Sequence, residues 1–165
     1  MSLNVFDEKI IESIRSKLVR NRQTLAVAES VTAGMLQLAF SQADEASFFF
    51  QGGITAYNLG QKARHLQIDP IHAQAVNCVS EQIAAELALQ VTRMFTSHWG
   101  LGITGYATPV PESGNELFAY YAIVFNKNVV LTGEMRPPQG KALEVQQFYV
   151  NYLLSAFNNV VDFSR

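Results

Sequence analysis

The chain has 165 residues, enough for one domain and too few for two ordinary ones. Apolar residues make up 48% and charged residues only 16%, which argues against disorder and points to a buried sheet or a subunit interface. Twelve Lys and Arg against fourteen Asp and Glu leave a net charge of −2, so no general basic field is available to hold a nucleic-acid backbone.

The single cysteine, Cys78, cannot close an internal disulfide, which fits a reducing compartment. The longest apolar stretches, such as Leu117 to Phe125, fall far short of the roughly 20 residues that span a bilayer. The N-terminus carries no apolar leader-like run. The expectation is a soluble, cytoplasmic chain with one domain over residues 1–165 and neither a membrane nor a nucleic-acid partner.

Phe6, Ile10, Ile11, Ile14 and Leu18 repeat at helical spacing, predicting an amphipathic helix over Val5 to Arg20 with Asn21 as its left-handed cap. Thr24 to Ala28 is a short apolar run, the mark of a strand buried on both faces. After the turn Glu29-Ser30-Val31, a second helix is predicted from Thr32 to Ser41. Phe48 to Tyr57 is the next strand region, and its Gly52-Gly53 pair signals a bulge or a close backbone approach. Gln61 to Leu66 reads as a short helix stopped by Asp69-Pro70.

Ser80 is a good N-cap for a long helix from Glu81 to Phe95, and Trp99 to Thr104 follows as a third strand ending at Gly105. Beyond a polar loop over Ala107 to Asn115, Leu117 to Phe125 and Val129 to Met135 read as a hairpin turning at Asn126-Lys127-Asn128. Pro137 to Gly140 breaks the pattern, and Lys141 to Asn158 closes the chain as a helix. This order is that of an α/β fold, a three-layer α/β/α sandwich around a mixed sheet. The apolar strands and low charge predict self-association, with a homodimer as the commonest closed form.

In open α/β sheets, sites form beyond the carboxyl ends of strands. Three segments stand there: Glu29 to Gly34, Tyr57 to Lys62, and Thr104 to Pro109. Ser30 leaves a buried strand just ahead of a helix, beside unpaired N–H groups that can hold a developing oxyanion. Ser30 and Thr32 can equally be plain helix caps. A lysine can take a serine's proton if burial lowers its pKa, and Lys62 is placed for that role or for an ordinary solvated helix face. Thr104 and Thr108 are candidates to contact phosphate or sugar. His65, His72 and His98 lack metal-ligand spacing, and no phosphate-loop or nucleophile-elbow motif is present.

The order A-E-S-V-T-A-G, F-x-G-G-x-x-A-Y-x-x-x-x-K, V-S-E and I-T-G-x-A-x-P resembles the C-terminal domain family of the competence/damage-inducible protein CinA, over essentially the whole chain. Stand-alone members are nicotinamide-nucleotide amidases of the PncC type. The resemblance implies hydrolysis of nicotinamide mononucleotide to nicotinate mononucleotide and ammonia, with no metal and no cofactor. It implies Ser30 as nucleophile, Lys62 as its activator, and Tyr57 to orient the lysine or donate to the leaving nitrogen. Glu29, Thr32, Ala33, Gly34, Thr104 and Gly105 would contact the substrate, with backbone N–H groups near Thr32 to Gly34 holding the oxyanion.

This sequence departs from the family pattern in four places. The Cys and first Gly of E-S-C-T-G-G are Val31 and Ala33, and Ala33 adds a methyl where a ligand is expected near the backbone. The glycines and the lysine that follow the family's G-I-A-G-P motif are missing, and Glu116 stands about where the lysine would be, so a phosphate is expected to meet a carboxylate. The arginine of the family's G-D-R-like helix start is also missing at Gly140-Lys141-Ala142. These changes leave a second expectation open: a catalytically silent or altered-specificity relative that binds another small ligand or serves as a partner subunit.

Overall fold

In the computed structural model, which describes residues 4–162, helix α1 (Glu8–Asn21) begins three residues later than its apolar stripe predicts. The ends of the domain expected over 1–165 lie outside the described residues. Asp7 sets the start of α1, its Oδ1 accepting from the N–H groups of Lys9 and Ile10 at 3.1 Å each. Asn21 stays helical, and Arg22 takes the left-handed cap instead, at φ 53°.

Then follow β1 (Leu25–Glu29), α2 (Met35–Ser41), β2 (Phe50–Thr55), α3 (Leu59–Leu66), α4 (Pro70–Ala75), α5 (Glu81–Phe95), β3 (Trp99–Gly105), β4 (Ala119–Phe125), β5 (Asn128–Met135) and α6 (Ala142–Val161). Helix α4 is the element that the sequence reading lacks. Asp69-Pro70, read as a stop, is a start: Asp69 Oδ1 accepts from the Ile71 N–H at 3.0 Å, and Pro70 sits in the first turn, where its missing N–H costs nothing. Gln67, at φ 53°, is what ends α3.

The sheet order is β2-β1-β3-β4-β5, with β2, β1 and β3 parallel and β4 and β5 antiparallel. Leu25 pairs with Phe50 and Ala26 with Gly52, so the register slips by one residue beside the predicted glycine pair. Asn126 and Lys127, at φ 46° and 67°, form the two-residue turn between the paired Phe125 and Asn128.

Strand alternation splits the core into two layers. Leu25, Val27, Trp99, Leu101 and Ile103 pack with α1, α2 and α6. Ala26 and Ala28 face the other way, toward Leu66, Ala73, Ile83 and Leu87 of α3 to α5. Gly100 and Gly102 let α5 lie almost on the sheet: a Cβ there would come within 2.3 Å of the Ala88 carbonyl oxygen or 2.2 Å of that of Ala84. On the opposite face Trp99 is fully buried against Phe157, edge-on at 5.2 Å. Burying a side chain of this kind contributes about 3 kcal/mol. The fold is thus the expected α/β/α sandwich with a mixed sheet. Among the described residues, no helix is long and apolar enough to cross a membrane.

Candidate active site

The parallel pairing of β1 with β2 brings the two segments after them side by side. Ser30, the first residue past β1, is anchored by its own N–H to the Ile103 carbonyl at 3.2 Å. Lys62, one turn into α3, reaches back across the top of the sheet, and its Nζ donates to Ser30 Oγ at 3.0 Å. Both residues are buried: Lys62 is 2% exposed and Ser30 6%. Burial pushes the Lys62 pKa below its ordinary 10.5, while nearby Cys78 pulls weakly the other way. Among the described residues no carboxylate pairs with this amine.

A cavity of about 550 Å³ opens over the pair. Its wall draws on the ends of β1, β2 and β3, the turn after α4 and the start of α6, the place that the carboxyl-end rule indicates. Sequence reasoning missed the turn after α4. Asn77 and Cys78 sit consecutively in the left-handed region, at φ 52° and 61°. Two bonds hold them there: the Cys78 N–H donates to the Ala73 carbonyl at 2.7 Å, and Thr104 Oγ1 donates to the Cys78 carbonyl at 2.7 Å. Gln146 was missed too. From α6 its Nε2 donates to the Val31 carbonyl at 2.9 Å, tying the last helix to the serine turn. No local signal marks it.

Several expected substrate contacts have other work. Glu29 is buried and does not line the cavity. Its carboxylate accepts from Thr32 Oγ1 at 2.6 Å, the Leu36 N–H at 3.0 Å and the Gln37 N–H at 2.9 Å. Glu29 therefore caps α2 in place of Ser30 or Thr32, and α2 begins at Met35 rather than at Thr32. Thr32, Ala33 and Gly34 do not line the cavity either, and the Ala33 N–H is engaged with the Ser30 carbonyl at 3.0 Å. The Ala33 methyl, exposed and at φ 52°, obstructs nothing in the cavity. Of the turn after Ser30, only Val31 lines the cavity, and its N–H has no partner among the described residues.

Thr104 and Gly105 line the cavity, but the Thr104 hydroxyl is committed to Cys78, and the absence of a Gly105 side chain is required by Ala119, 2.4 Å from where a Cβ would stand. Tyr57 lines the mouth with its side chain 68% exposed, and no hydrogen bond joins it to Lys62. Glu116 does not meet the cavity, since it pairs with Arg136 on the surface at 2.7 Å. The predicted clash of phosphate with Glu116 is therefore absent.

The serine, the buried lysine and the cavity at the strand ends form one arrangement, and the sequence matches the CinA C-terminal domain model over residues 7–159. The chain belongs to the CinA C-terminal domain family. It is 43% identical over 93 residues to a CinA-like protein of Picosynechococcus sp., covering 56% of this chain and 22% of that protein. It is 33% identical over 138 residues to a putative competence-damage inducible protein of Desulforamulus reducens, covering 83% of this chain and 34% of that one. The chain thus spans about a fifth to a third of the length of these relatives. A solved CinA superfamily protein from Klebsiella pneumoniae superimposes with a TM-score of 0.89 at 21% identity, over 95% of this chain and 98% of that one, a likeness of fold.

Proposed function

We propose that this CinA-family domain is an amidohydrolase that cleaves a carboxamide through an acyl-serine. The observation that carries the reading is the buried 3.0 Å contact between Lys62 Nζ and Ser30 Oγ, with no carboxylate among the described residues to hold the amine as a cation. A neutral Lys62 accepts the serine proton across that contact as Oγ attacks the amide carbon. The Val31 N–H is the donor placed to meet the oxyanion. Lys62 then returns its proton to the leaving nitrogen, and ammonia departs. Water attacks the acyl-serine with Lys62 again as base, releasing the acid and restoring Ser30. The reaction consumes one water and yields one carboxylic acid and one ammonia.

The family resemblance points to nicotinamide mononucleotide, and the serine and lysine require only the carboxamide. The test follows ammonia release from a panel of nicotinamide-type carboxamides with wild type, Ser30→Ala and Lys62→Ala. Turnover by wild type and by neither variant is the expected result. Release by Ser30→Ala at the wild-type rate removes the nucleophile, and silence in all three supports a ligand-binding or partner subunit without this activity.

A further inference from the structure

The lining of the cavity bears on which carboxamide it takes, an inference that rests on the hydrolase reading above. Among the described residues, Lys62 is the one Lys, Arg, His, Asp or Glu in that lining. The remaining wall is neutral, and its side-chain hydrogen-bonding groups include Asn58, Gln74, Asn77 and Thr108.

Of the neighbouring cations, Arg136 is turned to other partners and the Lys141 side chain stands exposed outside the lining. Arg136 lies outside the lining, pairs with Glu116 at 2.7 Å and Glu134 at 2.6 Å, and rests over the Phe118 ring at 5.3 Å. Lys141, just before the lining residue Ala142, is exposed and outside the lining, and its backbone N–H, not its ammonium, donates to the Glu144 carboxylate at 2.8 Å. That carboxylate puts a negative charge at the start of α6, where an anion would otherwise be drawn.

A phosphate ester taken from water is held best where a cationic side chain offsets its charge. Lys62 cannot supply them and also act as base, because an ammonium that neutralises phosphate has no lone pair for the serine proton. The two roles exclude each other, and the lining offers no second cation.

We propose that the site takes a phosphate-free carboxamide: a flat ring amide carrying hydroxyl groups, of about nucleoside size. The cavity volume lies within the range of small-molecule sites. Neutral amides and a hydroxyl face the ligand's own hydroxyls, and the exposed Tyr57 offers a ring face at the mouth.

The experiment compares two substrates that differ only in the phosphate, nicotinamide riboside and nicotinamide mononucleotide, by ammonia release from the full chain. The expected kcat/KM is at least about tenfold higher for the riboside. Gln74→Lys, which brings a cation to an exposed wall position, is expected to move the ratio about tenfold toward the phosphorylated form. Equal or faster turnover of the mononucleotide overturns the proposal. If neither releases ammonia, calorimetry on Ser30→Ala decides: tighter binding of the riboside upholds it, while tighter binding of the mononucleotide, or binding of neither, overturns it. A serine-directed fluorophosphonate tests the underlying reading separately. An adduct on Ser30 that Lys62→Met abolishes keeps the hydrolase even where the substrate class falls; no adduct and no ammonia removes both.

Discussion

Lys17 and Lys62 are both largely withdrawn from solvent, yet their surroundings put the same side chain to opposite uses. Lys17, on α1, donates to the Asn158 carbonyl at 3.0 Å, Asn158 Oδ1 at 2.8 Å and Asp162 Oδ2 at 2.8 Å. All three N–H bonds of its ammonium have acceptors, one of them a carboxylate, at the end of α6 where the helix dipole favours a cation. Among the described residues the Lys62 amine has a single hydrogen-bond partner, the Ser30 hydroxyl, and lies deeper. A cation there loses its water and gains little in return. The first lysine ties two helices together, and the second keeps its one side-chain contact for the serine, with burial pushing its pKa below the ordinary value.

The largest effect that can break this contrast is on the rate. Lys62→Met is expected to lower kcat for ammonia release by about 10²–10⁴-fold, the usual contribution of a positioned general base. Lys17→Met is expected to leave kcat unchanged, and a comparable loss in both variants would erase the distinction.

The next effect is on pH dependence. Because burial holds the Lys62 pKa below 10.5, the rate should rise with pH through that lowered value as the amine loses its proton. The same shift affects stability. Between the folded pKa and 10.5 the unfolded chain binds more protons than the folded one, so this group's contribution to stability rises with pH across that window. Below the window the cost of burying a charged Lys62 is fully present. Denaturant titrations of wild type and Lys62→Met across alkaline pH should differ in slope there and run parallel below it.

A smaller effect appears in melting temperature at neutral pH. Lys62→Met is expected to stabilise by about 1 kcal/mol, as replacing a buried functional polar group by an apolar one commonly does. Lys17→Met is expected to destabilise by about 1 kcal/mol, a partly exposed pair being worth no more. For a chain of this size each change moves Tm by roughly 2–4 °C, in opposite directions. An effect of the same size is expected from Thr104→Val, which removes the hydroxyl that fixes the Cys78 carbonyl and costs about 0.5–1.5 kcal/mol in a thermal melt.

Much of the fold was legible because its signals are local. The apolar run of β1, the Ser80 cap of α5 and the Asn126-Lys127 turn each combine a periodicity with a side chain that favours one backbone conformation. Helix α4 escaped because Asp-Pro carries two opposite meanings, a block to the preceding helix and a start to the next. Glu29 escaped for another reason. A carboxylate at a strand end looks like a ligand contact, and nothing nearby in sequence shows that the N–H groups of Leu36 and Gln37 turn back to meet it. Asn77, Cys78 and Gln146 entered the site from the turn after α4 and from α6, segments whose approach to the serine turn no short motif encodes.

From its sequence alone, this chain declared a layered α/β fold and a serine at the mouth of its first strand, because apolar periodicity and strand-end polarity act over a few residues. Tertiary structure alone decided that an amine 32 positions away meets that serine in a buried place and that the cavity wall around it is neutral. The physical reason is that a lysine's chemistry depends on the water and counter-charges it loses, and those are set by which strands pair and which helices cover them.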